Sequence, residues 1–95
     1  MFIIRDIFNT KPGKAKELVA KFKKATPHFK KIGAKEVTVM TDTVAGYWTV
    51  VVETQVEEMG NYFNMANQRS PEVEEAMKGY MDLLNGGHRE IFKVE

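Results

Sequence analysis

The 95-residue chain has no cysteine. Disulfides, thiolate metal sites and cysteine nucleophiles are therefore excluded, while the compartment is left open. Histidine is scarce: His28 and His88 are the two present. With no second carboxylate at ligand spacing they make no metal site. The formal net charge is +1, which argues against a dedicated nucleic-acid binder. No apolar run approaches the roughly 20 residues of a membrane span. Residues 1–10 are apolar but carry Arg5 and Asp6, too short and too charged for a signal segment. A cytoplasmic protein with no membrane contact is expected. There is no phosphate-cradling glycine loop, nucleophile elbow or HExxH pattern, and no cofactor is assigned.

What remains is an ordinary globular composition, 43% hydrophobic and 28% charged, with no repeat and no linker. Residues 1–95 are read as one small domain. Residues 1–9, rich in Phe and Ile, form a first strand. A turn over 10–14 follows, with Pro12 suited to a first helical turn. Ala15, Leu18, Val19, Phe22 and Ala25 recur at helical spacing, and lysines fill the opposite face. Pro27 should interrupt this helix, with Thr26 capping a short continuation that carries Phe29 and Ile32. Gly33 ends it. Residues 34–43 alternate as a half-buried strand, and a short connection leads to a third strand over 47–56. The two make an antiparallel hairpin.

A second helical region begins near Glu58, where Met59, Tyr62, Phe63 and Ala66 share a face. Ser70-Pro71-Glu72 is an N-cap, a first-turn proline and an acidic residue, and starts a further helix. Its apolar set is Val73, Ala76, Met77, Tyr80 and Leu84, with Gly86-Gly87 as its stop. Residues 88–94 are a last strand. The order is β-α-β-β-α-β, a ferredoxin-like α+β sandwich. Right-handed crossovers give a four-stranded antiparallel sheet in order 4-1-3-2, with helices on one face.

The two sheet faces can be sorted in part. Trp48, Val50, Val52, Val37 and Val39 should lie under the helices. Tyr47, Thr49, Val51, Glu53, Thr38 and Met40 form a mixed face that is too apolar for water and invites a second copy. Strand one carries Arg5 among Ile3 and Ile7, and Asp6 among Phe2, Ile4 and Phe8. Its register is not fixed by the pattern.

Lys11-Pro12-Gly13-Lys14 after a first strand, Val39-Met40-Thr41-Asp42 before a glycine turn, Thr49-Val50-Val51-Val52-Glu53, and the ending Gly87-His88-Arg89-Glu90-Ile91-Phe92 together resemble the NIPSNAP-like members of the dimeric α+β barrel superfamily. The order and spacing of these motifs carry the resemblance along the whole chain. It implies a homodimer whose sheets face each other. The superfamily includes antibiotic-biosynthesis-type cofactor-independent monooxygenases, haem-degrading enzymes, and muconolactone isomerase-like and chlorite dismutase-like proteins. Such a fold fixes no activity. Monooxygenase relatives often pair a tryptophan with an asparagine; Trp48 has no asparagine near it. Haem-binding relatives use an axial histidine, and His28 and His88 are the histidines on offer.

Strands one and three are neighbours, so Arg5 and Glu53 can meet, either as a ligand anchor or as a structural salt bridge. Glu53, if desolvated, is a candidate general base. His88 is a candidate proton shuttle, or simply a solvent-facing residue. His28 is a pocket-mouth residue or a surface one. Tyr47 combines a packing ring with a reaching hydroxyl, and Trp48 reads as core. Met59, Met65, Met77 and Met81 cluster in sequence with Tyr62, Phe63 and Tyr80, as ordinary core or as an adaptable pocket. The expected function is binding, or cofactor-independent oxygenation or isomerisation, of a small partly apolar molecule. The pocket is expected between sheet and helices, with Arg5, Tyr47, Glu53 and His88 as polar contacts. The alternative is a non-catalytic dimeric assembly or regulatory module.

Overall fold

A computed structural model describes every residue except Arg69, and the backbone only of Ala66. The element order is β1 (Phe2–Thr10), α1 (Ala15–Lys31), β2 (Glu36–Thr41), β3 (Thr49–Val56), α2 (Met59–Asn67), α3 (Pro71–Ala76), a 3₁₀ turn (Tyr80–Leu83) and β4 (Leu84–Lys93). The strands make one antiparallel sheet in the order β2-β3-β1-β4, as the crossover rules predict.

Helices cover one face of this sheet. Leu18, Phe22 and Ala25 of α1 are buried. Leu18 and Phe22 pack with Ala34, Val37, Val50, Val52 and Leu83 as the core, and the Phe8 and Phe22 rings stack with centroids 5.4 Å apart. Strand alternation explains the selection: residues two apart share a face, so Ile4, Asp6 and Phe8 align with Thr54, Val52 and Val50. The opposite set, Ile3, Arg5 and Ile7, aligns with Gln55, Glu53 and Val51 on the open face.

The structure corrects several sequence expectations. Pro27 does not interrupt α1; the helix runs through it. Thr26 is no cap, and its hydroxyl donates back to the Phe22 carbonyl at 2.8 Å. Burial of the apolar stripe on both sides of Pro27 outweighs the one backbone bond lost. Pro12 lies in a turn before the helix. Trp48 is not core. Its backbone takes a left-handed φ of 58°, its side chain is half-exposed, and β3 starts one residue later. The buried Thr10 holds it there: its N–H donates to the Trp48 carbonyl at 2.9 Å, and its hydroxyl lies within reach of the Lys11 and Trp48 carbonyls, at 3.1 and 3.2 Å. On α2, Ala66's side chain, assigned to the apolar face by spacing, lies outside the described residues.

The third helix starts as predicted, with the Ser70 hydroxyl accepting from Val73 N–H and Pro71 in the first turn. It ends at Ala76 instead of running to Leu84, because Gly79 adopts a left-handed φ of 78°. Gly86 and Gly87 are then not a helix stop. They lie inside β4, which begins four residues before His88. Val73, Met77, Tyr80 and Leu84, spaced as on one helix, fall instead on a short helix, its C-terminal end, a 3₁₀ turn and the start of β4.

Candidate functional site

A cavity of about 500 Å³ opens between the sheet and the helices. Its walls are mainly apolar. Phe8 and Val52 come from the sheet, Phe22 and Phe29 from α1, Met65 from α2, and Val73 and Met77 from the third helical segment. Residues from five elements thus converge here because the broken second helical region leaves the sheet incompletely covered. Asp6, Thr54, Tyr62, Glu74, Tyr80 and Arg89 add polar groups.

Asp6 and Arg89 organise this polar side. They stand directly opposite each other on β1 and β4. Arg89 Nε donates to Asp6 Oδ1. The Asp6 side chain is 21% exposed and that of Arg89 54%. The guanidinium lies over the Tyr62 ring, 5.5 Å from its centroid, a cation–π contact that draws α2 toward β4. The hydrogen bond to Asp6 raises the Arg89 pKa above its ordinary value, against the opposing effect of burial. Burial pushes the Tyr62 hydroxyl up; Arg89 opposes this and Asp6 adds to it. At neutral pH the cavity therefore holds an ionised Arg89 and a neutral phenol.

The residues picked out from sequence fall elsewhere. Arg5 and Glu53 do meet, with Arg5 Nε donating to Glu53 Oε2 at 3.0 Å. Arg5 also lies 3.8 Å from Glu90 and 5.3 Å from the centre of the Phe92 ring. His88 Nε2 is 3.7 Å from Glu90 Oε2. This network runs across the open face of the sheet and none of its members lines the cavity. His88 borders a separate hollow at the sheet end, with Asn9, Thr49, Asn85, Gly86 and Gly87. Tyr47 is 84% exposed and borders neither hollow. His28 sits in the last turn of α1, outside the cavity lining. Among the described residues no three histidine, aspartate or glutamate side chains gather as a metal site.

Sequence reasoning missed Asp6, Arg89, Tyr62 and Tyr80 as one constellation. The available signal was Asp6 itself, a charge between Ile4 and Phe8 on an otherwise apolar strand face. Of the methionine-rich region, Met65, Met77 and Tyr80 pack against the core and, with Tyr62, also line the cavity, whereas Phe63 and Met81 are exposed.

The fold matches solved structures over the full chain. A NIPSNAP domain protein from Burkholderia xenovorans superimposes with a TM-score of 0.84 at 9% identity, covering 100% of this chain and 95% of that one. A NIPSNAP family protein from Agrobacterium tumefaciens gives 0.82 at 7% identity, covering 99% and 92%. A candidate antibiotic biosynthesis monooxygenase from Nitrosomonas europaea gives 0.81 at 7% identity, covering 99% and 98%. No family model and no curated protein matches the sequence. The likeness is one of fold, the ferredoxin-like fold of NIPSNAP and monooxygenase-like proteins.

Proposed function

We propose that this chain binds a small, partly apolar molecule in the cavity between its sheet and its helices. One observation carries the reading: an open apolar hollow of about 500 Å³ has Asp6, Arg89 and Tyr62 brought to the same wall. A concave apolar site with a few convergent polar groups is the usual form of a small-molecule site. A module built for assembly alone would fill this volume with side chains. In an oxygenase- or isomerase-like form of the same reading, Asp6 is the carboxylate placed to accept a proton from the ligand, a role that Glu53 cannot take from the opposite sheet face. The open face supports the second part of the proposal, a homodimer closed over Ile3, Ile7, Val51 and Phe92 with the Arg5–Glu53 pair among them.

The test uses N-phenyl-1-naphthylamine, a neutral dye that fluoresces in apolar surroundings. The folded wild-type protein should enhance its emission saturably. Val73→Trp, which places an indole in the cavity, should weaken binding at least tenfold without changing the far-UV dichroism. Unsaturable enhancement, or equal affinity in the variant, would remove the cavity from consideration.

A further inference from the structure

The charge of this chain is unevenly placed. Residues 11–35 hold nine of its fourteen lysines and arginines but one of its thirteen aspartates and glutamates, so the rest of the molecule is net acidic. Most of this segment is α1. Its inner face is apolar and lies on the sheet, through Leu18 and Phe22. On its outer face, at 3.6 residues per turn, stand Lys16, Lys23, Lys24, Lys30 and Lys31, all exposed. Between them lie only Ala20 and Pro27. The ridge is about 22 Å long at 1.5 Å per residue.

Part of this ridge is answered from within the molecule. Lys30 Nζ lies 3.1 Å from Glu36 Oε1, and Glu72 on α3 is near enough to Lys31 to feel its charge. Both contacts belong to the C-terminal half. Toward the N-terminus, Lys14 meets Glu17 at 3.8 Å on the flank of the helix, and the Lys21 ammonium donates to the Lys78 carbonyl. Among the described residues no carboxylate pairs with Lys16, Lys23 or Lys24. A surface kept for solubility mixes the two signs. A one-signed ridge instead steers and orients a charged partner.

Three features decide the partner's class. The helix has no arginine, so the forked guanidinium that clamps phosphate is missing. No aromatic ring stands on the outer face for a base to stack on. Carboxylates border the ridge, Glu36 from β2 and Glu72 from α3, and they would repel a broad polyanion such as a nucleic-acid duplex or an anionic bilayer. A single α-helix is about 10–12 Å wide with its side chains, narrow enough to follow the lysines without covering both borders. Glutamates repeating along one of its faces would rise in step with Lys16, Lys23 and Lys30.

We infer that the outer face of α1 is a docking surface for an acidic helix of a partner protein. It lies on the far side of the helical layer from the open sheet face, so the homodimer proposed above leaves it accessible. The inference does not depend on the reading of the cavity.

The probe is a fluorescein-labelled, alanine-rich peptide of three heptads whose glutamates share one helical face, with a scrambled peptide of the same composition beside it. Fluorescence anisotropy in low-salt buffer at pH 7.5 should show wild-type protein binding the one-faced peptide at least fivefold more tightly than the scrambled one. The combined Lys16→Gln, Lys23→Gln and Lys24→Gln variant should lose at least tenfold in affinity. The same three positions changed to arginine, which keeps the charge, should stay within twofold of wild type, and so should Lys93→Gln on β4. Equal affinity for the two peptides in wild-type protein overturns the inference with no variant needed, so a poorly folded mutant does not shelter it. Undiminished affinity in the folded glutamine variant overturns it too. Tighter binding of an oligouridylate of the same charge would overturn it in favour of nucleic acid. Sedimentation with phosphatidylserine vesicles that the peptide does not displace would overturn it in favour of a lipid surface.

Discussion

Gly87 occupies a place with no room for a side chain. A Cβ built on it would lie 2.7 Å from the Ile7 carbonyl oxygen and 3.4 Å from Phe8 Cδ1. The oxygen belongs to the backbone of the paired strand and cannot move without disturbing the ladder. Gly87→Ala should therefore destabilise the protein by about 1–3 kcal/mol, the usual range for forcing a methyl group into a packed site. Urea unfolding checks this, and an unchanged midpoint would contradict it. Gly86→Ala is the control, since nothing lies within 4 Å of its added Cβ. Sequence shows two adjacent glycines and no means of telling them apart. One is a steric requirement of β1–β4 pairing, and that contact lies 80 residues away along the chain.

At the level of elements, local chemistry was readable where it acts alone and unreadable where packing overrides it. The Ser70-Pro71 start of α3 is such a local signal, complete within four residues, and it was legible. The alternation of β2 and β3 and the order of the sheet were legible for a similar reason: a period of two and a right-handed crossover leave few arrangements. Pro27 shows the opposite case. Its ring removes one helical bond, yet Ala25 before it is buried and Phe29 after it packs against the core, and these keep α1 continuous. The helix should then be less stable than it would be with an ordinary residue there. Pro27→Ala should raise stability by about 1–2 kcal/mol, less than the full ~3 kcal/mol interior penalty because proline also restricts the unfolded chain. A thermal melt that moves down would show that the proline shapes the helix in a way the core requires. The candidate site was legible only in fragments. Asp6 and the methionine- and tyrosine-rich segment were visible separately, but joining them needs the β1–β4 register, which neither strand's pattern fixes.

For the molecule as a whole, the sheet has one covered face and one open face, and the proposed function gives the two different tasks. The cavity opens on the covered side, while Ile7, Val51 and Phe92 point the other way with the Arg5–Glu53–Glu90 network. Dimer formation and ligand binding should therefore separate cleanly. Val51→Glu puts a carboxylate between Ile7 and Met40 on the open face. Sedimentation should show a wild-type dimer and a variant monomer of the same fold, with dye affinity changed less than twofold. A wild-type monomer at high concentration would refute the face-to-face assembly, and loss of dye binding on dissociation would refute the separation of tasks. The position of Trp48 bears on how such experiments are read. It is the chain's single tryptophan, it stands at the hairpin's outer end with 45% of its surface in water, and it is tethered to Thr10 through its carbonyl. Intrinsic emission is thus a spectroscopic window on one corner of the molecule, blind to the packed interior, and a melting curve drawn from it alone records when that corner lets go.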